Sequence, residues 1–251
     1  MSHRTQIILN ILALVAVLTV NALANILPIN GMNTGQISDL YPSLFTPAGF
    51  TFSVWSVIYL SLIVFSIAQI KIKDKPYFKE LSLWFLLSCV ANISWILVWH
   101  HLFTVASVVV MLVLLYSLTQ TYRLLQRNSL NRKEWFLILL PFIFYLSWIC
   151  VATIANISTL LISIHWGGGF LSPIYWTIIM IGIAAALGLY IALNFKEPAF
   201  LLVLMWAFFG IYSKWTGTEN NAIAYAALVA IVTLGIIFGK LLIDKIKVST
   251  N

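Results

Sequence analysis

Apolar residues fall into eight long runs along the chain, separated by short polar stretches: Ile7–Leu27, Phe52–Ile70, Leu81–Trp99, Thr104–Leu124, Trp135–Ile157, Ile174–Leu193, Ala199–Tyr212 and Ala222–Leu242. A bilayer span takes about 20 mostly apolar residues, so the pattern predicts an all-α fold, a polytopic membrane helix bundle of about eight transmembrane helices. The seventh run is the shortest. Several starts carry local signals. Ser172 with Pro173 sets a capping hydroxyl before a proline suited to a first helical turn. Pro198 is expected to do the same for run seven, and Pro76 precedes run three. Asn131 with Glu134 has the spacing of a capping pair for run five. The glycines at 167–169 predict a flexible break between runs five and six. The longest stretch between runs, Pro28 to Gly49, is too short to form a soluble domain.

The polar residues sharpen this picture. Asp39, Asp74, Glu80, Glu134, Glu197, Glu219 and Asp244 are the only acids, and all lie between or beside the runs. A membrane interior without a carboxylate disfavours most proton and sodium pumps, which need ionisable groups at depth. With the N-terminus placed in the cytoplasm, 13 of the 14 Lys and Arg residues fall on the cytoplasmic side, and Lys214 alone falls outside. Both termini are then cytoplasmic, in a bacterial-type plasma (inner) membrane. The chain is 62% hydrophobic and 8% charged, against about 25% charged in soluble domains. Its net charge of +7 reflects this sidedness, with no basic, aromatic-interleaved patch for nucleic acid. Cys89 and Cys150 sit within apolar runs and behave as small buried hydrophobes. His3-Arg4, the following apolar run and Ala22-Leu23-Ala24 resemble a signal peptide. The run continues through Ile26-Leu27, however, and is expected to be a retained helix.

Three runs place aromatic and amide side chains on one helical stripe. These are Phe52, Trp55 and Tyr59 in run two; Asn92, Trp95 and Trp99 in run three; and Trp148, Ala152 and Asn156 in run five. An amide facing lipid is costly, so Asn92 and Asn156 should face inward, towards a neighbouring helix or a ligand. Periodicity alone favours packing between helices over a ligand site. His100, His101 and His165 lie at the outer ends of runs three and five, read as polar interface residues with no metal site expected. The spacings Gly182-x3-Ala186 and Gly235-x3-Gly239 permit close packing, within the chain or between chains. No nucleophile or acid–base constellation is present, so no catalytic residue is assigned and no enzyme is expected.

Three stretches carry a family resemblance. Residues Thr46-Pro47-Ala48-Gly49-Phe50-Thr51-Phe52 through Trp55 and Tyr59 resemble the loop into helix two of the TspO/MBR family, the tryptophan-rich sensory or translocator proteins. Asn92-Ile93-Ser94-Trp95 resembles its helix-three NxxW. Phe144-Tyr145-Leu146-Ser147-Trp148, followed by Ala152 and Asn156, resembles its helix-five PYLxWVxFAxxLN. Phe144 stands where the family has proline, and the WY…KP of the first loop is missing. The resemblance covers residues 5–166. It implies a five-helix transmembrane bundle over 1–166, with 167–251 forming accessory helices that lack a counterpart in the usual five. It also implies a pocket for tetrapyrroles between runs two, three and five, lined or supported by Trp55, Asn92, Trp95, Trp148, Ala152 and Asn156. Phe52 and Tyr59 join these from the stripe in run two.

The expected function is a membrane sensor or translocator-like protein that binds a hydrophobic small molecule. The ligand expected is a porphyrin/tetrapyrrole or another apolar metabolite, with no cofactor otherwise. An eight-helix small-molecule transporter is the alternative. Membrane lipid is the surrounding partner and nucleic acid is not one. A homodimer is open, with the C-terminal helices placed to cover the family's usual interface. The topology makes a direct prediction. Tags at Asn251 and near Asn33 should be accessible from opposite sides of the membrane, and finding both on one side overturns it.

Overall fold

The computed structural model describes residues 2–27, 29–166 and 168–250, with side chains omitted for 246–250. Gly167, the first glycine of the expected break, lies outside the described residues, as do Pro28 and the two end residues. The described residues form helices and no strand. In chain order these are α1 (His3–Ile26), α2 (Thr34–Asp39), α3 (Val54–Ala68), α4 (Phe78–His100), α5 (Thr104–Gln126), α6 (Arg132–Glu134), α7 (Leu140–Ser163), α8 (Pro173–Phe195), α9 (Ala199–Trp215) and α10 (Asn221–Thr250). Seven stretches are long and apolar enough to cross a membrane: His3–Ile26, Gly49–Lys71, Phe78–His100, Thr104–Gln126, Arg132–Ser163, Pro173–Phe195 and Asn221–Lys245. The eighth, α9, has 17 residues. At about 1.5 Å per residue it is roughly 25 Å long, at the lower limit for a span. The protein is an all-α polytopic membrane bundle.

Most helix starts follow the sequence signals. Ser172 accepts a hydrogen bond from the Tyr175 amide, with Pro173 in the first turn of α8. Asn131 and Glu134 cap each other's backbone reciprocally. That box starts the fifth membrane helix at Arg132, earlier than the apolar run alone suggests, and the helix continues through a wide π turn over Trp135–Leu139 into α7. Pro198 departs from expectation. It occupies the cap position before α9 and makes no side-chain cap bond. The reason is a connection of only three residues, in which Lys196 turns left-handed (φ 54°) to end α8.

The chain forms two compact units: Met1–Tyr41 with Trp55–Ile149, and Pro42–Val54 with Cys150–Asn251. In the first unit, α1, α2 and α5 pack on α4. Phe65, Phe85 and Phe142 meet edge to face at 4.8–6.0 Å between centroids. The buried stripe of α1 is Gln6, Asn10, Leu14, Val17, Asn21 and Ala24, half of it amides. Asn10 donates to Gln69 Oε1 (2.8 Å) and accepts from the Ser82 hydroxyl (2.9 Å). Asn21 donates to Asn92 Oδ1 (2.8 Å) and to the Val17 carbonyl (2.9 Å). The links to Gln69, Ser82 and Asn92 tie α1 to its neighbours by bonds that lipid could not replace.

In the second unit, α8, α9 and α10 pack against one another, and the turn Gly49–Ser53 lies on α9. One face of α9 holds the incoming loop. Trp206 Nε1 donates to the Thr51 carbonyl (2.9 Å), Lys214 Nζ to that of Thr46 (3.0 Å), and Trp215 Nε1 to that of Leu44 (2.8 Å). The Gly210 carbonyl accepts from the Ala48 amide (3.2 Å). Lys214, the one base on the outer side of the expected topology, thus serves as a loop anchor, 5.4 Å from the Trp215 ring centre. The close approaches are not at the glycine spacings singled out in the sequence. Gly182 and Gly239 have open space where a side chain would go, and Gly235 has only ordinary contact with Met205. Among the membrane-helix glycines the tight sites are Gly188, against Leu204, and Gly210, against Pro47 and Thr51. The reason is that the loop and α9 need backbone proximity to share hydrogen bonds, whereas of the α10 glycines Gly235 meets only the flexible Met205 side chain and Gly239 faces open space.

This contrast predicts opposite outcomes for one substitution. Gly210→Ala should lower the thermal unfolding midpoint, because overpacking costs about 1–3 kcal/mol. Gly182→Ala and Gly239→Ala should hold or raise it, since alanine is favoured over glycine in a helix by about 0.5–1 kcal/mol. Equal midpoints for all three in detergent would mean that the loop is not docked at Gly210.

Candidate functional site

The first unit gathers aromatic rings around Trp55, at the start of α3. Trp55 stacks on Tyr59 one turn on (5.2 Å, 21°). Two rings from α7 meet it edge-on, Tyr145 at 5.7 Å and Trp148 at 6.3 Å. Trp148 is 2% exposed and so turns away from lipid. These near-perpendicular contacts are the edge-to-face type favoured for aromatic pairs. One flank of the cluster is polar. Asn92 Nδ2 donates to the Tyr145 hydroxyl (2.8 Å), while its Oδ1 receives Asn21. Among the described residues the Tyr59 hydroxyl is buried without a hydrogen-bond partner. An unmet buried donor is costly and marks a place where a ligand acceptor would be welcome.

Trp95 and Trp99 of α4 stack on each other at 5.3 Å and 19°. Trp99 Nε1 donates to the Thr34 carbonyl (3.3 Å). His100 is fully buried, which corrects its reading as a polar interface residue. Its Nδ1 lies 3.1 Å from the Ile29 carbonyl and its Nε2 3.1 Å from the Thr34 hydroxyl. These partners assign Nδ1 as donor and Nε2 as acceptor. The His100 carbonyl in turn accepts from Asn30 (3.0 Å). The histidine is therefore a clasp for the loop before α2, and its ring nitrogens are occupied. No group of three or more His, Cys, Asp or Glu that could hold a metal occurs among the described residues.

The remaining sequence candidates belong to the second unit. Phe52 lies in the turn Gly49–Ser53. Ala152 and Asn156 lie one turn apart on the later half of α7, with Asn156 buried and Ala152 half-buried. Within the first unit, Trp55, Tyr59 and Trp148 come together and Asn92 joins them through Tyr145. Tyr145, Asn21 and Asn10 were not among the residues singled out. A usable signal existed for the asparagines. They stand 11 residues apart in a mostly apolar run, three helical turns on one face.

Comparison with curated proteins finds no match, and neither does comparison with solved structures. The profile of a family described as TSPO-like protein matches residues 6–239, so the match extends well past the motifs that end near residue 166 and into α10. With its membrane helices and its tryptophan cluster, the chain belongs to the TSPO-like protein family.

Proposed function

We propose that this protein binds a flat, apolar ligand of the porphyrin/tetrapyrrole class against the Trp55 cluster, as a sensor or translocator of the ligand rather than a catalyst. The reading rests above all on one observation, stacked and edge-on rings grouped beside the buried, unpartnered Tyr59 hydroxyl. A conjugated macrocycle offers a face for stacking and polar atoms for a hydroxyl, so both features would be used at once. The groups around Trp55 include no carboxylate, imidazole or amine suited to move a proton, which favours binding without turnover. The membrane expected is a bacterial-type plasma membrane, with both termini in the cytoplasm, on the strength of the basic-residue asymmetry.

Titration of the purified protein with protoporphyrin, followed by tryptophan fluorescence, tests the reading. Saturable quenching is expected. Tyr59→Phe should weaken binding about fivefold, the worth of one hydrogen bond near 1 kcal/mol. Trp55→Leu should weaken it about tenfold by removing a stacking face. Absence of saturable quenching, or unchanged affinity in both variants, rules the site out. Flux of porphyrin into protein-containing vesicles would instead favour the transporter alternative.

A further inference from the structure

The second unit contains a cavity of about 260 Å³, bounded by the loop Pro42–Phe45, the last turns of α7 and the first turns of α8. Phe45, Leu161, Ile162 and Met180 supply apolar wall, and Trp166 and Trp176 close one side with their rings 5.4 Å apart. No charged side chain lines it. Its hydroxyls are engaged with their own backbone: Ser158 donates to the Ile154 carbonyl (2.9 Å), Thr177 donates to that of Pro173 (2.8 Å), and Ser43 accepts from the Phe45 amide (3.3 Å). The wall is therefore mostly hydrocarbon, with the Ser43 hydroxyl and the indole N–H groups of Trp166 and Trp176 as its remaining polar groups. The loop side is held in place by the bonds from Trp215 to Leu44 and from Lys214 to Thr46.

Size and position narrow the occupant. The volume is below the roughly 300–1,000 Å³ of pockets for drug-sized ligands, so a tetrapyrrole macrocycle does not fit. The junction of α7 and α8 beside the cavity is rich in aromatic side chains. Phe170 is 97% exposed and Tyr175 64%, beside the Trp166–Trp176 pair. Such rings seat at the boundary between headgroups and acyl chains. An apolar cavity left empty forfeits dispersion contacts, and the hydrocarbon at that depth is lipid. We infer that this cavity takes an acyl chain of a membrane phospholipid and leaves its headgroup outside, at a site separate from the Trp55 cluster.

The full chain, reconstituted in phosphatidylcholine nanodiscs doped with a phosphatidylcholine carrying a diazirine on one acyl chain, tests this. After irradiation, the label should concentrate on peptides holding Phe45, Leu161–Ile162 and Met180. Leu161→Trp and Met180→Phe fill the cavity from opposite walls. In whichever variant keeps the wild-type unfolding midpoint, the cavity label should be lost, while label near exposed Val229 of α10 persists. Exchange of the headgroup for phosphatidylglycerol should leave the pattern unchanged. Label spread evenly over the exposed faces of α8 and α10 overturns the inference. So does cavity label that survives filling, follows the headgroup, or is displaced by protoporphyrin. A diazirine fatty acid that labels the cavity in preference to the phospholipid overturns the choice of occupant. The outcome is independent of the affinity changes in Tyr59→Phe and Trp55→Leu, which report on the Trp55 cluster.

Discussion

Hydrocarbon offers no hydrogen-bond partner, so a polar side chain carried into a membrane helix must find one inside the protein. The first unit is organised around that requirement. Asn10 and Asn21 of α1 are two locks about 16 Å apart along the helix, one closed by Gln69 and Ser82 and the other by Asn92. Leucine in their place would let α1 rotate or slide with little penalty, because one apolar surface packs about as well as another against lipid-like neighbours. Two amides at fixed spacing admit one register. The second lock also reaches the aromatic cluster around Trp55, since the amide that receives Asn21 donates to the Tyr145 hydroxyl. The placement of α1 and the orientation of a ring beside Trp55 are parts of one chain of bonds.

The same requirement explains α9. The segment from Leu44 to Thr51 is largely irregular, and local turns meet only some of its backbone carbonyls. Two indoles and an ammonium meet three of them, and Gly210 lets the loop come close enough for a backbone bond as well. Irregular backbone near a membrane is tolerated where it is buried against protein. A short helix edged with Trp206, Lys214 and Trp215 supplies that cover. Lys214 is then where it is for its donor protons, whichever side of the membrane it faces.

What could be read from the sequence was set by how locally each feature is determined. Helix number and type follow from the length of apolar runs, and the Ser172 and Asn131 caps follow from side chains acting on backbone within three residues. The meeting of Trp55 with Trp148 was anticipated from their stripes and motifs. Their contact with Tyr145 could not be foreseen, because periodicity gives the face of a helix and not its partner. His100 was misread for the same reason. A histidine at a helix end is ordinarily a wet residue, and only the loop folded over it, bonding both ring nitrogens, makes it a buried clasp. The glycine spacings of α8 and α10 marked small faces correctly, but smallness permits close approach without requiring it. The association of residues 42–54 with the C-terminal helices depends on long-range hydrogen bonds that no local pattern announces.

The division of labour among polar groups has a consequence for selectivity. Asn92 is bound at both ends of its amide, and His100 at both ring nitrogens. Side chains committed in this way hold architecture and have little left with which to read a ligand's functional groups. Under the proposed reading, the Trp55 cluster would meet a ligand with ring faces and the Tyr59 hydroxyl. Stacking tolerates substitution, whereas discrimination by several orders of magnitude requires multiple buried polar groups that go unmet when the wrong ligand binds. A site of this kind would separate flat conjugated molecules from flexible ones but distinguish poorly among members of the flat class. On that reading, breadth towards ligands would be the counterpart of a membrane interior in which Asn10, Asn21 and Asn92 are occupied in holding helices in register.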